Sequence, residues 1–172
     1  MFRVTGLLAI WLSLGACVFE DEPAKNAKVR IGTYDSRGVA MAYAQSKFNP
    51  VGEKMAAYKK AKAAGDKAKM LELEAWGEQH QRQLHFQGFG RVPVDDLLLP
   101  VKDQVAELAR ARGLAAITMH CDFVGKDIEL VDVTEDLAKL YNASDKALEM
   151  IRGIRKVKPA SLTQLADMPA KH

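Results

Sequence analysis

The sequence predicts a helix-rich α+β domain with a small antiparallel or mixed sheet core and a helical insertion, and three observations carry the prediction. Val29-Arg30-Ile31-Gly32-Thr33-Tyr34 alternates like a half-buried strand. Residues 51–87 then have a strongly helix-forming composition, broken only by Gly65-Asp66. After Gly113 the apolar period turns from helical to alternating, so strands return near the end of the domain. Sheet segments flanking a helical block argue for α+β rather than for a repeated βα order.

Each element has its own signal. Val29, Ile31 and Thr33 face one way on the first strand, and Asp35-Ser36 supplies N-cap chemistry for an alanine-rich helix over Val39 to Gln45. Asn49-Pro50 interrupts it, because proline disfavours helical geometry in the residue before it and suits a first turn. Helix resumes from Val51 to Ala64, with Val51, Met55 and Tyr58 at helical spacing. From Lys67 to about Gln87 the larger apolar members are Leu71, Trp76 and Leu84. Gly65 admits two readings, one long arm helix or an antiparallel helical pair turning there, and the turn is favoured.

Gln87 to Pro93 reads as a loop, since two glycines and a proline lie close together. Asp95-Asp96 caps a further helix whose Leu97, Val101, Val105 and Leu108 form an apolar stripe, and Gly113 stops it. Residues 115–120 and 127–132 read as two strands joined as a hairpin. Asp132-Val133-Thr134-Glu135 has capping-box spacing ahead of a short helix, and another helix runs from about Ser144 to Lys156. A loose tail with Pro159 and Pro169 ends the chain.

The first residues set an expectation about location. One positive charge, Arg3, precedes an apolar run from Val4 to Leu14 and the small residues Gly15 and Ala16, which is the layout of a secretory signal. The run meets Glu20, Asp21 and Glu22 before it attains the length of a membrane span. Leu14-Gly15-Ala16-Cys17 resembles the lipobox of bacterial lipoproteins, which implies lipidation of Cys17 and an anchored protein on the periplasmic side of a bacterial membrane. Ordinary cleavage near Ala16 and an uncleaved anchor are the alternatives. The resulting organisation is a signal peptide over 1–16, a polar tether over 17–28, one domain over 29–158 and a tail over 159–172. Lipidation of Cys17 leaves Cys121 without a partner, so stability has to come from a core or from association rather than from disulfides.

A net charge of +3 is too small to imply nucleic acid. Its distribution is more informative. Lys54, Lys59, Lys60, Lys62, Lys67 and Lys69 crowd residues 51–70, opposed only by Glu53 and Asp66, with Met55, Tyr58 and Met70 interleaved. Such a stretch suits capture of unfolded chains or contact with anionic lipid, although lysines are also common on solvated helix exteriors.

"VRIGTYDSRGVAMAYAQS" is similar to the opening of the Skp/OmpH family of periplasmic chaperones, in which a strand runs through an aspartate into a helix. "LLPVKDQVAELARARGLAAITMHCDF" and "DIELVDVTEDLAKLYN" resemble that family's closing part, a helix returning to a small sheet and a new helix start. The resemblance covers the two ends of the domain. It implies a holding chaperone that binds unfolded or envelope proteins, assembled as a homotrimer, with helical arms that are shortened here.

Catalytic and metal chemistry find weaker support, and no catalytic residue, metal or cofactor is assigned. His120 and Asp122 fall on one face of a strand and Cys121 on the other, which fails as a three-ligand cluster and suits a buried core cysteine. His80 and His85 are spaced five apart, not the three or four that bring helical ligands together. Ser36-Arg37 lacks a nucleophile elbow. The alternative function is a small-molecule-binding or enzymatic domain, in which Asp35 and Arg37 meet an anion and the Gly88, Gly90, Arg91 loop closes over it.

Overall fold

Chain direction in the sheet follows from how each strand is reached. The computed structural model describes residues 28–167, and the readings made at Cys17, the signal and Pro169 lie outside the described residues. β1 (Val29–Thr33) is followed by α1 (Ser36–Ala44), α2 (Val51–Ala64), α3 (Lys67–Phe89), α4 (Asp95–Leu98), a 3-10 turn (Leu99–Val101) and α5 (Lys102–Ala111) before the chain returns as β2 (Ala116–Thr118). β3 (Ile128–Asp132), α6 (Thr134–Leu140), α7 (Asp145–Arg155) and α8 (Leu162–Ala166) complete it. The fold is helix-rich α+β.

The hairpin expected between the last two strands does not form. β2 and β3 both pair in parallel with β1, one on each side, in the order β2-β1-β3. Ile31 lies opposite Ala116 on one side and Leu130 on the other. The helical insertion supplies the long crossover that a parallel β1–β2 pair needs. Residues 119–127 then run back along the sheet, and strands this short make that return possible without a helix. The sheet is therefore parallel throughout.

Helix ends explain most of the boundaries. Asp35 caps α1 with its side chain accepting from the Arg37 N–H at 3.1 Å, so the helix starts at Ser36, earlier than the alanine-rich run suggests. Gly65 ends α2 in the left-handed conformation, φ 71°, and Asp66 caps α3 through the Lys69 N–H. The helical pair turning at Gly65 is thus the correct reading of the two. α3 runs on through Gly88 and Phe89 and stops only at Gly90, which shortens the expected loop. That end is fastened by tertiary contacts: the Gln87 amide donates to Asp96 at 2.8 Å, and Gly90 pairs with Ala160.

Two further expectations need correction. Asp95 and Asp96 lie in the first turn of α4 rather than at its cap, which is Val94. No capping box forms at 132–135, because the Val133 N–H still donates to Thr33 O at 2.9 Å and holds the chain in the ladder for one more residue. Asp132 accepts instead from the Thr134 N–H, and Glu135 pairs with Arg152. The tail is not loose where it is described. A capping box at Ser161 and Gln164 starts α8, and Leu165 is buried against the end of α3.

The core lies where α1, α6 and α7 meet above the sheet, around Val39, Val101, Val133, Leu137 and Ile151. Leu97 and Val101 of the predicted stripe are buried, and Val105 and Leu108 pack at its margin. Tyr141 joins the halves: its hydroxyl donates to Leu97 O at 2.7 Å, and Tyr43 and Phe48 meet its ring edge-on. Gly38 permits the close crossing of α1 over α6 and α7. A Cβ there would stand 2.7 Å from Thr134 Cγ2 and 3.0 Å from Ile151 Cγ2, both on fully buried residues. Gly38→Val is expected to cost about 1–3 kcal/mol by overpacking, and an unchanged urea midpoint would refute this account of the crossing.

Candidate functional site

Two concave surfaces are built from different parts of the chain. The larger is a groove of about 860 Å³ between α1 and the α2–α3 pair. α2 contributes Val51, Met55 and Tyr58 to its wall, α3 contributes Trp76, Leu84 and Phe89, and α1 closes it with Ala40, Met41 and Ala44. The pair is held open and in register by polar contacts at its rim. The Tyr58 hydroxyl donates to Glu74 Oε1 at 2.7 Å, and that bond, with burial and the charge of Glu74 behind it, raises the Tyr58 phenol above its ordinary value. His80 Nε2 lies 3.0 Å from Asn49 Oδ1, and its ring stacks on Trp76 at 4.7 Å. Burial lowers the His80 imidazole, against a weaker opposing effect of the Asp96 charge.

The lysine stretch divides. Lys54 lies in the groove wall with its ammonium 5.5 Å from the Trp76 ring centroid, a cation–π contact, so Lys54, Met55 and Tyr58 are brought together as the sequence suggests. Lys59, Lys60, Lys62 and Lys67 are exposed and make no ion pair among the described residues, while Lys69 binds Glu72 at 2.7 Å. Met70 is half-buried and outside the groove. Met41, Trp76, Leu84 and Phe89 are groove residues that the sequence reading did not single out as binding residues. Their signal was spacing: Trp76 and Leu84, eight apart, share one face of α3.

The smaller surface is a polar cleft of about 320 Å³ at the carboxyl ends of the strands. Each strand delivers residues to it as it ends: Tyr34 and Asp35 after β1, His120 and Cys121 after β2, Asp132 at the end of β3. Arg91 and Arg155 complete it from the segment after α3 and the last turn of α7. Beneath it lies a buried ion pair. Arg37 Nη2 donates to Asp35 Oδ2 at 2.6 Å and Arg37 Nε to Oδ1 at 3.0 Å, with Arg37 only 2% exposed. Burial alone would raise the Asp35 carboxyl, but the hydrogen bonds and charge of Arg37, helped by Arg91, outweigh it and hold Asp35 below the usual carboxylate range.

Asp35, Arg37 and Arg91 thus converge, but the glycines do not join them. Gly88 lies in the groove wall, and Gly90 is buried under Leu165, so no glycine loop closes over Asp35. Arg37 is committed to Asp35 and to Val157 O at 2.9 Å, which makes it a structural group rather than a ligand contact. Cys121 is not a core residue; it is half-buried in the cleft because β2 ends before reaching it. His120 Nε2 lies 3.2 Å from Asp122 Oδ1. Among the described residues, no group of three or more His, Cys, Asp or Glu is placed to hold a metal ion, and no helix is long and apolar enough to cross a membrane. No known family model, curated protein or solved structure matches the chain.

Proposed function

We propose that this chain is an exported, lipid-anchored envelope protein that binds apolar stretches of unfolded proteins, as a holding chaperone or interaction module, and that it does so in the groove between α1 and the α2–α3 pair. The groove itself carries the reading. It is partly open and mostly apolar, walled chiefly by methionine, aromatic, leucine and alanine side chains with Lys54, Glu74 and His80 among them, and flanked on α2 by exposed lysines without ion-pair partners among the described residues. Methionine and alanine walls accept varied side chains because neither imposes one shape, whereas a site for one small molecule concentrates polar groups that fix orientation. The uncommitted lysines attract acidic segments at a distance and release them with salt. The resemblance of both ends of the domain to the Skp/OmpH chaperones supports the same reading, and the lipobox-like Leu14 to Cys17 supports the anchor.

Self-association belongs to this proposal. Val29, Phe123, Val124 and Leu130, on and beside the sheet, leave large apolar side chains exposed, Phe123 at 89%. A homotrimer joined at its sheets would cover them.

The test dilutes a reduced, urea-unfolded protein into buffer with and without this chain and follows turbidity, while light scattering gives the mass of the free protein. Suppression at near-stoichiometric ratios, weakened by about 0.5 M salt, is the expected result. A client that aggregates equally at a several-fold excess of this chain would sink the chaperone reading. A monomer at all concentrations would remove the trimer and leave the groove to act alone.

A further inference from the structure

The polar cleft is chemically separate from the groove and does not depend on the protein-binding reading. It stands outside the carboxyl ends of three parallel strands, in the order β2-β1-β3, the end at which open parallel sheets place small ligands. Its charges are not equally available. Both oxygens of Asp35 accept from Arg37. Asp132 accepts from the Thr134 N–H and pairs with Arg155. Each of these carboxylates already has its cation. Arg91 is the exception: its charge is felt at Asp35, yet it forms no ion pair among the described residues and remains exposed at the mouth.

We propose that this cleft binds a small organic carboxylate, received by the guanidinium of Arg91 with His120 beside it. The planar fork of Arg91 matches two carboxylate oxygens. A metal or organic cation would find both cleft carboxylates spoken for. A phosphate dianion concentrates two charges at one centre against Asp35 and Asp132, whereas a dicarboxylate such as succinate presents one charge to Arg91 and holds the other a few carbons away. A volume of about 320 Å³ lies at the small end of ligand pockets, which limits the occupant to a few carbons beyond the carboxylate.

Cys121, in the cleft wall, supplies the reporter. The full chain is treated with iodoacetate, itself a small carboxylate, and separately with neutral iodoacetamide, and the rate at Cys121 is read from its own peptide by mass spectrometry. The iodoacetate-to-iodoacetamide ratio is expected to be about tenfold above that of a small uncharged thiol. Arg91→Gln should return the ratio to the small-thiol value without changing the iodoacetamide rate, and Arg91→Lys should keep part of it. Succinate should slow both reagents on the unaltered chain beyond the effect of potassium chloride at equal ionic strength. A small-thiol ratio in the unaltered chain, a ratio unmoved by Arg91→Gln, or succinate no better than chloride would overturn the proposal. Stronger protection by inorganic phosphate than by succinate would overturn the carboxylate class.

Discussion

Arg37→Ala is expected to lower the stability of the domain by about 3–5 kcal/mol, because it leaves the Asp35 carboxylate under the cleft without its cation. The side chains of Arg37 and Asp35 are 2% and 10% exposed, so water does little to replace what is lost. The same variant should change how stability responds to acid. In the unaltered protein the Asp35 carboxyl titrates lower when folded than when unfolded. Its contribution is therefore complete above an unfolded value of about 3.9 and is lost as pH falls through the lower folded value. Without Arg37, burial dominates and pushes the Asp35 carboxyl up, so acidification through the weakly acidic range should relieve the variant rather than harm it. Urea midpoints measured from about pH 3 to pH 7 decide the matter. Parallel curves for the two proteins would mean that the pair does not hold the site.

Val51→Glu/Met55→Glu is expected to weaken client holding by about tenfold or more, roughly 1.4 kcal/mol or more of binding. The two residues are 39% and 51% exposed and lie on the groove side of α2, so the carboxylates enter the binding surface without entering the core. Leu71→Glu is the matched control, since Leu71 is more exposed still, at 66%, and lies outside the groove. The measurement is the concentration of protein that halves client turbidity, with urea midpoints taken alongside. Equal losses in the double variant and the control would show that general surface hydrophobicity, not the groove, holds clients.

Local chemistry was legible in the sequence wherever one or two residues decide the backbone. Asp35 as a cap, Gly65 as a turn, Gly113 as a stop and the Leu97–Val101 stripe all act within a turn of themselves. Strand pairing was not legible in the same way. Alternation in 115–120 and 127–132 predicts strands equally well for a hairpin or for two parallel partners of β1, and only the distant β1 decides between them. The overlooked end of α3 has a similar origin. Gly88 is a poor helix residue, yet Gln87 bound to Asp96 and Gly90 bridged to Ala160 hold that turn from outside.

The candidate sites divide along the same line. Lys54, Met55 and Tyr58 were found because they lie together on one helix. Cys121 and Arg155 were not recognised as neighbours of Asp35, because their proximity exists only once the sheet is known to be parallel. A residue directly after each strand was the available signal.

The middle strand of the sheet is also the first to be synthesised. Ile31 finds its ladder partners at Ala116 and Leu130, so β1 stays unpaired on both edges until most of the domain has been made. The α2–α3 pair, joined by a two-residue turn, has no such wait and is complete by Phe89. Loop entropy therefore favours assembly from the periphery inward, with the α2–α3 pair formed on local contacts before the sheet closes across a long loop. Until that closure, a nascent chain carries a bare β-strand beside an apolar groove, so under the proposed function the unfinished molecule is itself a candidate client.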